Sequence, residues 1–285
     1  MAQLKPFKGS YYIWEYVPSL PGAIAFAVAF LLITLAQGYR MYRGKHWFTI
    51  PFFIGGICEV LGYVFRTLAY NATNSLAIYI MQSLFLLLPP VFFAATLYMV
   101  YSRIVRAVGG EDFSLITARK TTRLFVIGDF VTFNIQGNGG GLMANQKLAN
   151  IGKIIVIVGL IAQIILFLAF VIICVVFHRR FKAHLRRSHA LVEIRWESYL
   201  NMLYVTSAFI LVRNLFRVVE FIMDKEGYLM QKEWPTFVFD AVLMFLVMVA
   251  FYVWYPGNLT STSRDSAVEL VPKPRRNSRE VSASE

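Results

Sequence analysis

The chain has 285 residues, of which 58% are apolar, 16% aromatic and only 15% charged, with a mean hydropathy of +0.58. Soluble domains carry about a quarter charged residues, so composition excludes a soluble enzyme, a disordered protein and a secreted disulfide scaffold. The net charge of +12 follows from topology, because membrane proteins gather Lys and Arg in their cytoplasmic loops. Nucleic acid is therefore not an expected partner. The expected class is all-α, a polytopic membrane protein.

An N-terminal lead over residues 1–19 carries Tyr11, Tyr12, Trp14 and Tyr16, the pattern of an interfacial aromatic belt. It reads as extracellular and without a cleavable leader: Lys5 and Lys8 precede a Pro-containing aromatic stretch, and the first apolar run is too long for a signal core. Seven apolar segments then predict transmembrane helices over residues 20–41, 50–70, 76–101, 122–142, 152–177, 199–222 and 235–254, within a domain of residues 20–254. One set of loops and the tail holds 19 of the Lys and Arg residues, and the opposite set holds 6. This bias places the N-terminus outside and the C-terminus in the cytoplasm. The tail, residues 255–285, is rich in Ser, Pro and charge and is expected to be disordered and cytoplasmic, with a basic Arg275-Arg276-Asn277-Ser278 motif.

Two sequons occur, at Asn71 on the predicted outer side beside the membrane and at Asn258 on the cytoplasmic side. Cys58 and Cys174 fall inside apolar segments and read as small buried packing residues. Residues 178–196 are basic, with Phe181, Leu185, Val192 and Trp196 at helical spacing. They form either a surface for anionic lipid headgroups or an ordinary basic loop extending two helices.

Within the spans lie three arginines, Arg66, Arg213 and Arg217, and four acids, Glu59, Asp129, Glu220 and Asp240. Each charge near a bilayer centre costs about 2.5–3.5 kcal/mol even on insertion scales, so these groups must face inward and find one another. Glu59 and Arg66 are seven residues apart in the second segment; Arg213 and Glu220 repeat that step in the sixth with the signs reversed. Seven residues make two helical turns on one face. Parallel neighbours would then form two structural ion pairs, Glu59 with Arg213 and Arg66 with Glu220, leaving Arg217 for Asp240 and Asp129 without a partner. An unmatched acid of this kind is either protonated by desolvation or binds a cation. The bland alternative is a network that only locks helix packing.

Pro89-Pro90 is expected to kink the third helix. The glycines at 137 and 139–141 are expected to break the outer end of the fourth, opening a pocket beside Gln136 and Asn138 or folding into a packed turn. Gln82 falls near the same outer layer. The predicted binding set is therefore Asp129, Gln136, Asn138, Arg217, Asp240 and Gln82. There is no P-loop, no H-E-x-x-H or G-x-S-x-G motif and no lysine in the seventh segment, and the four histidines lie in or beside cytoplasmic loops. No enzyme activity, metal or cofactor is expected.

Glu59-x-x-Gly62-Tyr63-x-x-Arg66 resembles the second-span signature of the fungal RTA-like family, the lipid-translocating exporters. Further matches follow in order: Tyr79-x-x-Gln82 before Pro89; Ala94-Ala95-x-x-Tyr98; Asp129 to Gln136 with the glycine run; Gly159-Leu160-x-x-Gln163; Arg213-x-x-Phe216-Arg217-x-x-Glu220; and Glu233 to Asp240. The resemblance runs from Tyr16 to Gly257. One departure is Tyr255-Pro256-Gly257, where the family usually reads His-Pro-Gly. The resemblance implies a seven-helix plasma-membrane protein tied to resistance to amphipathic toxicants and to export of sphingoid long-chain bases. Its expected partners are membrane lipids or amphipathic small molecules. A ligand-sensing receptor, or a regulator of other membrane proteins acting indirectly on lipid asymmetry and resistance, is the alternative function.

Overall fold

A computed structural model of the chain describes residues 19–71, 73, 75–143, 147–188, 195–223 and 233–257. The predicted aromatic belt, the tail motif, the Asn258 sequon and Val192 lie outside the described residues. Those described form helices joined by short turns, with no strand among them. The helices are α1 Leu20–Gly44, α2 Ile50–Ala69, α3 Leu76–Ala107, α4 Ala118–Met143, α5 Ala149–Ser188, α6 Trp196–Ile222 and α7 Trp234–Val253. Pro21 and Pro51 stand in the first turns of α1 and α2, where a missing N–H costs nothing.

Successive helices pack side by side, α7 closes back onto α1 and α6, and α3 touches α2, α4 and α6. The core is aromatic. Tyr98 of α3 sits among Phe125 of α4 and Phe170 of α5, at ring distances of 5.4 and 4.5 Å. Phe52 of α2 is stacked between Phe93 and Phe251, at 4.3 and 4.1 Å. The outer faces are apolar as well: Leu32, Phe130, Ile154 and Ile165 are each at least 60% exposed. A surface of that kind is suited to lipid rather than water.

Six helices are long and apolar enough to cross a membrane: α1, α2 with its leading 3-10 turn, α3, α5, α6 and α7. The chain is thus a multi-pass membrane protein. α4 falls outside the six because Arg119, Lys120 and Arg123 occupy its start and polar residues and glycines its end. α5, with 40 residues, is roughly 60 Å long at 1.5 Å per residue, twice the hydrocarbon thickness. Its basic end, residues 178–188, therefore projects beyond the apolar band. There Phe181 is buried against Trp196 at 5.1 Å and Lys182 pairs with Glu197 at 3.0 Å, so the apolar stripe at 178–196 is covered by α6 where it is described.

One backbone expectation is corrected. α4 does not break at its glycines but stays helical to Met143. The absent side chains instead let α5 approach: a Cβ on Gly139 would lie 2.9 Å from the Gly152 carbonyl oxygen, and one on Gly152 would lie 2.5 Å from the Gly139 carbonyl. α3 keeps its helical backbone through Pro89 and Pro90, the site of the expected kink. α7 carries the irregularity that the pattern did not reveal, a π-helical stretch at Phe237–Val242 that includes Asp240.

Candidate functional site

Asp240 is the hub of a buried polar group. Arg213 Nε donates to its Oδ1 at 2.7 Å, and Arg217 donates to its Oδ2. Arg217 also reaches Glu220 Oε2 at 3.0 Å, one turn along α6. Arg213 and Asp240 are almost wholly buried, a geometry that offsets the desolvation of both charges only because hydrogen bonds fill their remaining sites. One of those bonds comes from α3. Pro90 has no N–H to offer the carbonyl four residues back, and that carbonyl, Leu86 O, accepts from Arg213 Nη2 at 2.6 Å. The double proline thus supplies an acceptor to the ion-pair centre.

Near the start of α7 a second carboxylate gathers three helix ends. Glu233 Oε1 accepts from Arg66 Nη2 at 2.7 Å, and its two oxygens accept the Ser19 N–H at 3.0 and 2.8 Å. The Arg66 guanidinium also lies 5.1 Å from the Phe237 ring centre.

The predicted ion pairs Glu59–Arg213 and Arg66–Glu220 are therefore replaced. They required α2 and α6 to be neighbours, whereas α2 packs on α1 and α3, and α6 packs on α5 and α7 with α3. Arg213 takes Asp240, Arg66 takes Glu233, and Glu220 stays with Arg217 on its own helix. Glu233 lies outside the predicted spans and so is not among the four span acids. Counting it leaves two buried acids without an ion pair among the described residues, Glu59 and Asp129.

Asp129 sits on α4, facing α3. Tyr98 donates its hydroxyl to Oδ2 at 2.7 Å, while Oδ1 is buried without a hydrogen-bond partner. Two turns along, Gln136 Nε2 donates to Gln163 Oε1 of α5 at 2.8 Å. Asn138 departs from the predicted set: it is exposed, and its amide donates to the Asn134 carbonyl at 2.8 Å. Two residues from Gln136 on a helix is about 200° around the axis, so the two cannot share a pocket. Gln82, on α3 one turn from Leu86, keeps a buried Oε1 without a partner.

Two participants escaped the sequence reading. Tyr98 stands out in the sequence only as part of a family motif. Asn214, next to Arg213, is buried with neither amide atom partnered. With Gln82 Oε1 on α3 and Arg217 Nε on α6, it leaves several buried polar atoms unsatisfied. In a lipid setting each costs several kcal/mol or demands a polar visitor. The binding set is thus split in two: Asp129 and Gln136 belong to α3–α5, and Arg217, Asp240 and Gln82 to α3, α6 and α7. Among the described residues no cluster of His, Cys, Asp and Glu is fit to hold a metal ion.

The profile of a family described as RTA1 like protein matches residues 52–263. Curated relatives include three proteins of Saccharomyces cerevisiae. Protein RTM1 is 33% identical over 81% of this chain and 75% of its own length. Protoporphyrin uptake protein 1 is 37% identical over 72% and 67%. Sphingoid long-chain base transporter RSB1 is 24% identical over 90% and 76%. No solved structure matches the chain. The match to that family model over most of the chain, together with relatives such as RTM1, identifies the chain as a member of the RTA1-like protein family.

Proposed function

We propose that the protein is a plasma-membrane transporter or flippase for amphipathic lipids and toxicants of the sphingoid-base class. In this reading seven helices span the bilayer, with the N-terminus outside and the C-terminus in the cytoplasm. A seventh span at α4 is supported by its outward face, where Leu124, Ile127, Phe130 and Val131 are exposed and apolar. The orientation rests on the uneven distribution of Lys and Arg.

The observation that carries the proposal is Asp129: a buried carboxyl with one hydrogen-bond donor, one unpartnered oxygen and, among the described residues, no cation beside it. A lipid amine would supply the missing charge, and the Gln136–Gln163 pair would meet neighbouring hydroxyls. Gln82, Arg217 and Asp240 form a second polar station in the bundle. Without a P-loop, movement is downhill or coupled to an ion, and Asp129 is the proton carrier. The relative named as a sphingoid long-chain base transporter supports the substrate class, and the one named for protoporphyrin uptake supports amphipathic small molecules more broadly.

The test is transbilayer movement of a labelled sphingoid base in vesicles holding the purified protein or its Asp129→Asn variant. Movement above protein-free vesicles, lost in the variant at equal folded amount, is the expected result. No movement with well-folded unaltered protein overturns the transport reading and leaves a receptor or regulator.

A further inference from the structure

Four arginines from two helices line one cleft at the basic end of the bundle. Arg103 and Arg106 belong to the last turns of α3 and Arg119 and Arg123 to the first turns of α4, with Ser102 and Met99 between them. The cleft has a volume of about 200 Å³. Two of the guanidiniums are held in place. Arg103 lies 4.2 Å above the Phe48 ring, and Arg106 donates from Nε to the Ser102 carbonyl at 3.1 Å and from Nη2 to its hydroxyl at 3.3 Å.

Among the described residues none of the four pairs with a carboxylate. Glu111 and Asp112, in the turn between α3 and α4, are exposed and do not line the cleft. Four like charges facing one space repel each other unless an anion joins them, and the start of α4 adds the positive end of a helix dipole. Other cations at this end do not line the cleft: Arg179 and Arg180 lie on α5, and Lys182 is paired with Glu197.

We propose that this cleft binds a phosphate monoester dianion, carried by a lipid headgroup or by a free phosphorylated metabolite. Planar guanidiniums bond phosphate oxygens in pairs, and a dianion engages several of them at once. The apolar Met99 is suited to the carbon next to the phosphate. The proposal does not depend on the transport reading, because the cleft lies apart from Asp129 and Asp240.

The experiment uses the full chain in phosphatidylcholine nanodiscs, titrated with dihexanoyl phosphatidic acid and, separately, with glycerol 3-phosphate, and followed by intrinsic tryptophan fluorescence. Saturable binding is expected, weakened about tenfold or more by Arg119→Gln with Arg123→Gln. Arg179→Gln with Arg180→Gln, an equal change in charge, should leave it within about twofold. Binding of the lipid alone identifies a headgroup, and equal binding of glycerol 3-phosphate identifies a free phosphorylated ligand. Inorganic phosphate should compete for the unaltered protein better than chloride at equal ionic strength, a readout that needs no variant. Absence of saturable binding to either probe, equal weakening by both variant pairs, or equal competition by chloride overturns the proposal.

Discussion

Arg213 on α6 and Pro90 on α3 act on the same atom: the proline withholds an N–H from the Leu86 carbonyl, and the guanidinium supplies one at 2.6 Å. A residue that ordinarily weakens a helix here provides the acceptor that fastens α3 to the ion-pair centre. The two positions should therefore be energetically coupled. Arg213→Met leaves Leu86 O unsatisfied only while Pro90 remains. Its cost, read from melting in detergent, should fall by about 1–2 kcal/mol in a Pro90→Ala background. Additive effects would show that the carbonyl contributes nothing to the centre.

Asp240→Asn should be among the most damaging polar substitutions in the bundle, because it strands two guanidiniums. A loss of about 3–5 kcal/mol is expected, against about 1 kcal/mol or less for Glu220→Gln, whose carboxylate is at the edge and partly exposed. Melting midpoints of the two variants compare them directly.

The glycines of α4 and α5 divide into two classes. Gly152→Ala would press a Cβ to 2.5 Å from the Gly139 carbonyl and to 2.8 Å from the Met143 nitrogen, both backbone atoms that cannot swing aside. It should destabilise by about 1–3 kcal/mol. Gly140→Ala meets nothing within 4 Å and should be neutral or stabilising by up to about 1 kcal/mol. Thermal melting of the paired variants distinguishes a helix–helix seam from a glycine-rich segment that merely tolerates change.

His46, in the turn between α1 and α2, has its pKa lowered, first by burial and then by the nearby positive charge of Arg103. Its ring also lies 5.4 Å from that of Tyr255, over which the Arg40 guanidinium sits at 5.2 Å. The unfolded chain therefore takes up a proton before the folded one. Stability should hold above the unfolded value of about 6.5 and fall as pH drops through it toward the lower folded value. Melting between pH 7.5 and 5 should show that slope, and His46→Gln should flatten it.

The helices, their order and the inward gathering of charge were legible in the sequence because apolar runs and buried charge obey general rules of the bilayer. Partner choice was not. Equal seven-residue steps made Glu59 and Arg213 look matched, but the step fixes only a face of each helix and says nothing about which helix lies opposite. Glu233 shows a second limit, since its place outside an apolar run hid a carboxylate that Arg66 meets. The glycine run misled for a related reason: absence of a Cβ permits both a broken helix and a close neighbour, and only Gly152 on α5 decides between them. Tyr98 stood in a family motif, but its role gave no sequence signal, because a tyrosine in an apolar helix differs from a core aromatic only by what its hydroxyl finds.

The π-helical stretch at Phe237–Val242 has a consequence for how relatives are aligned. Glu233 and Asp240 are seven residues apart, so an uninterrupted α-helix would aim both carboxylates at one neighbour. The extra residue in the wide turn offsets the two ends of α7 by about 100°, which allows Glu233 to serve Ser19 and Arg66 while Asp240 serves Arg213 and Arg217. It acts as a one-residue insertion. A homologue with a single deletion between positions 234 and 242 would have a straight α7 that keeps one of these acid contacts and forfeits the other.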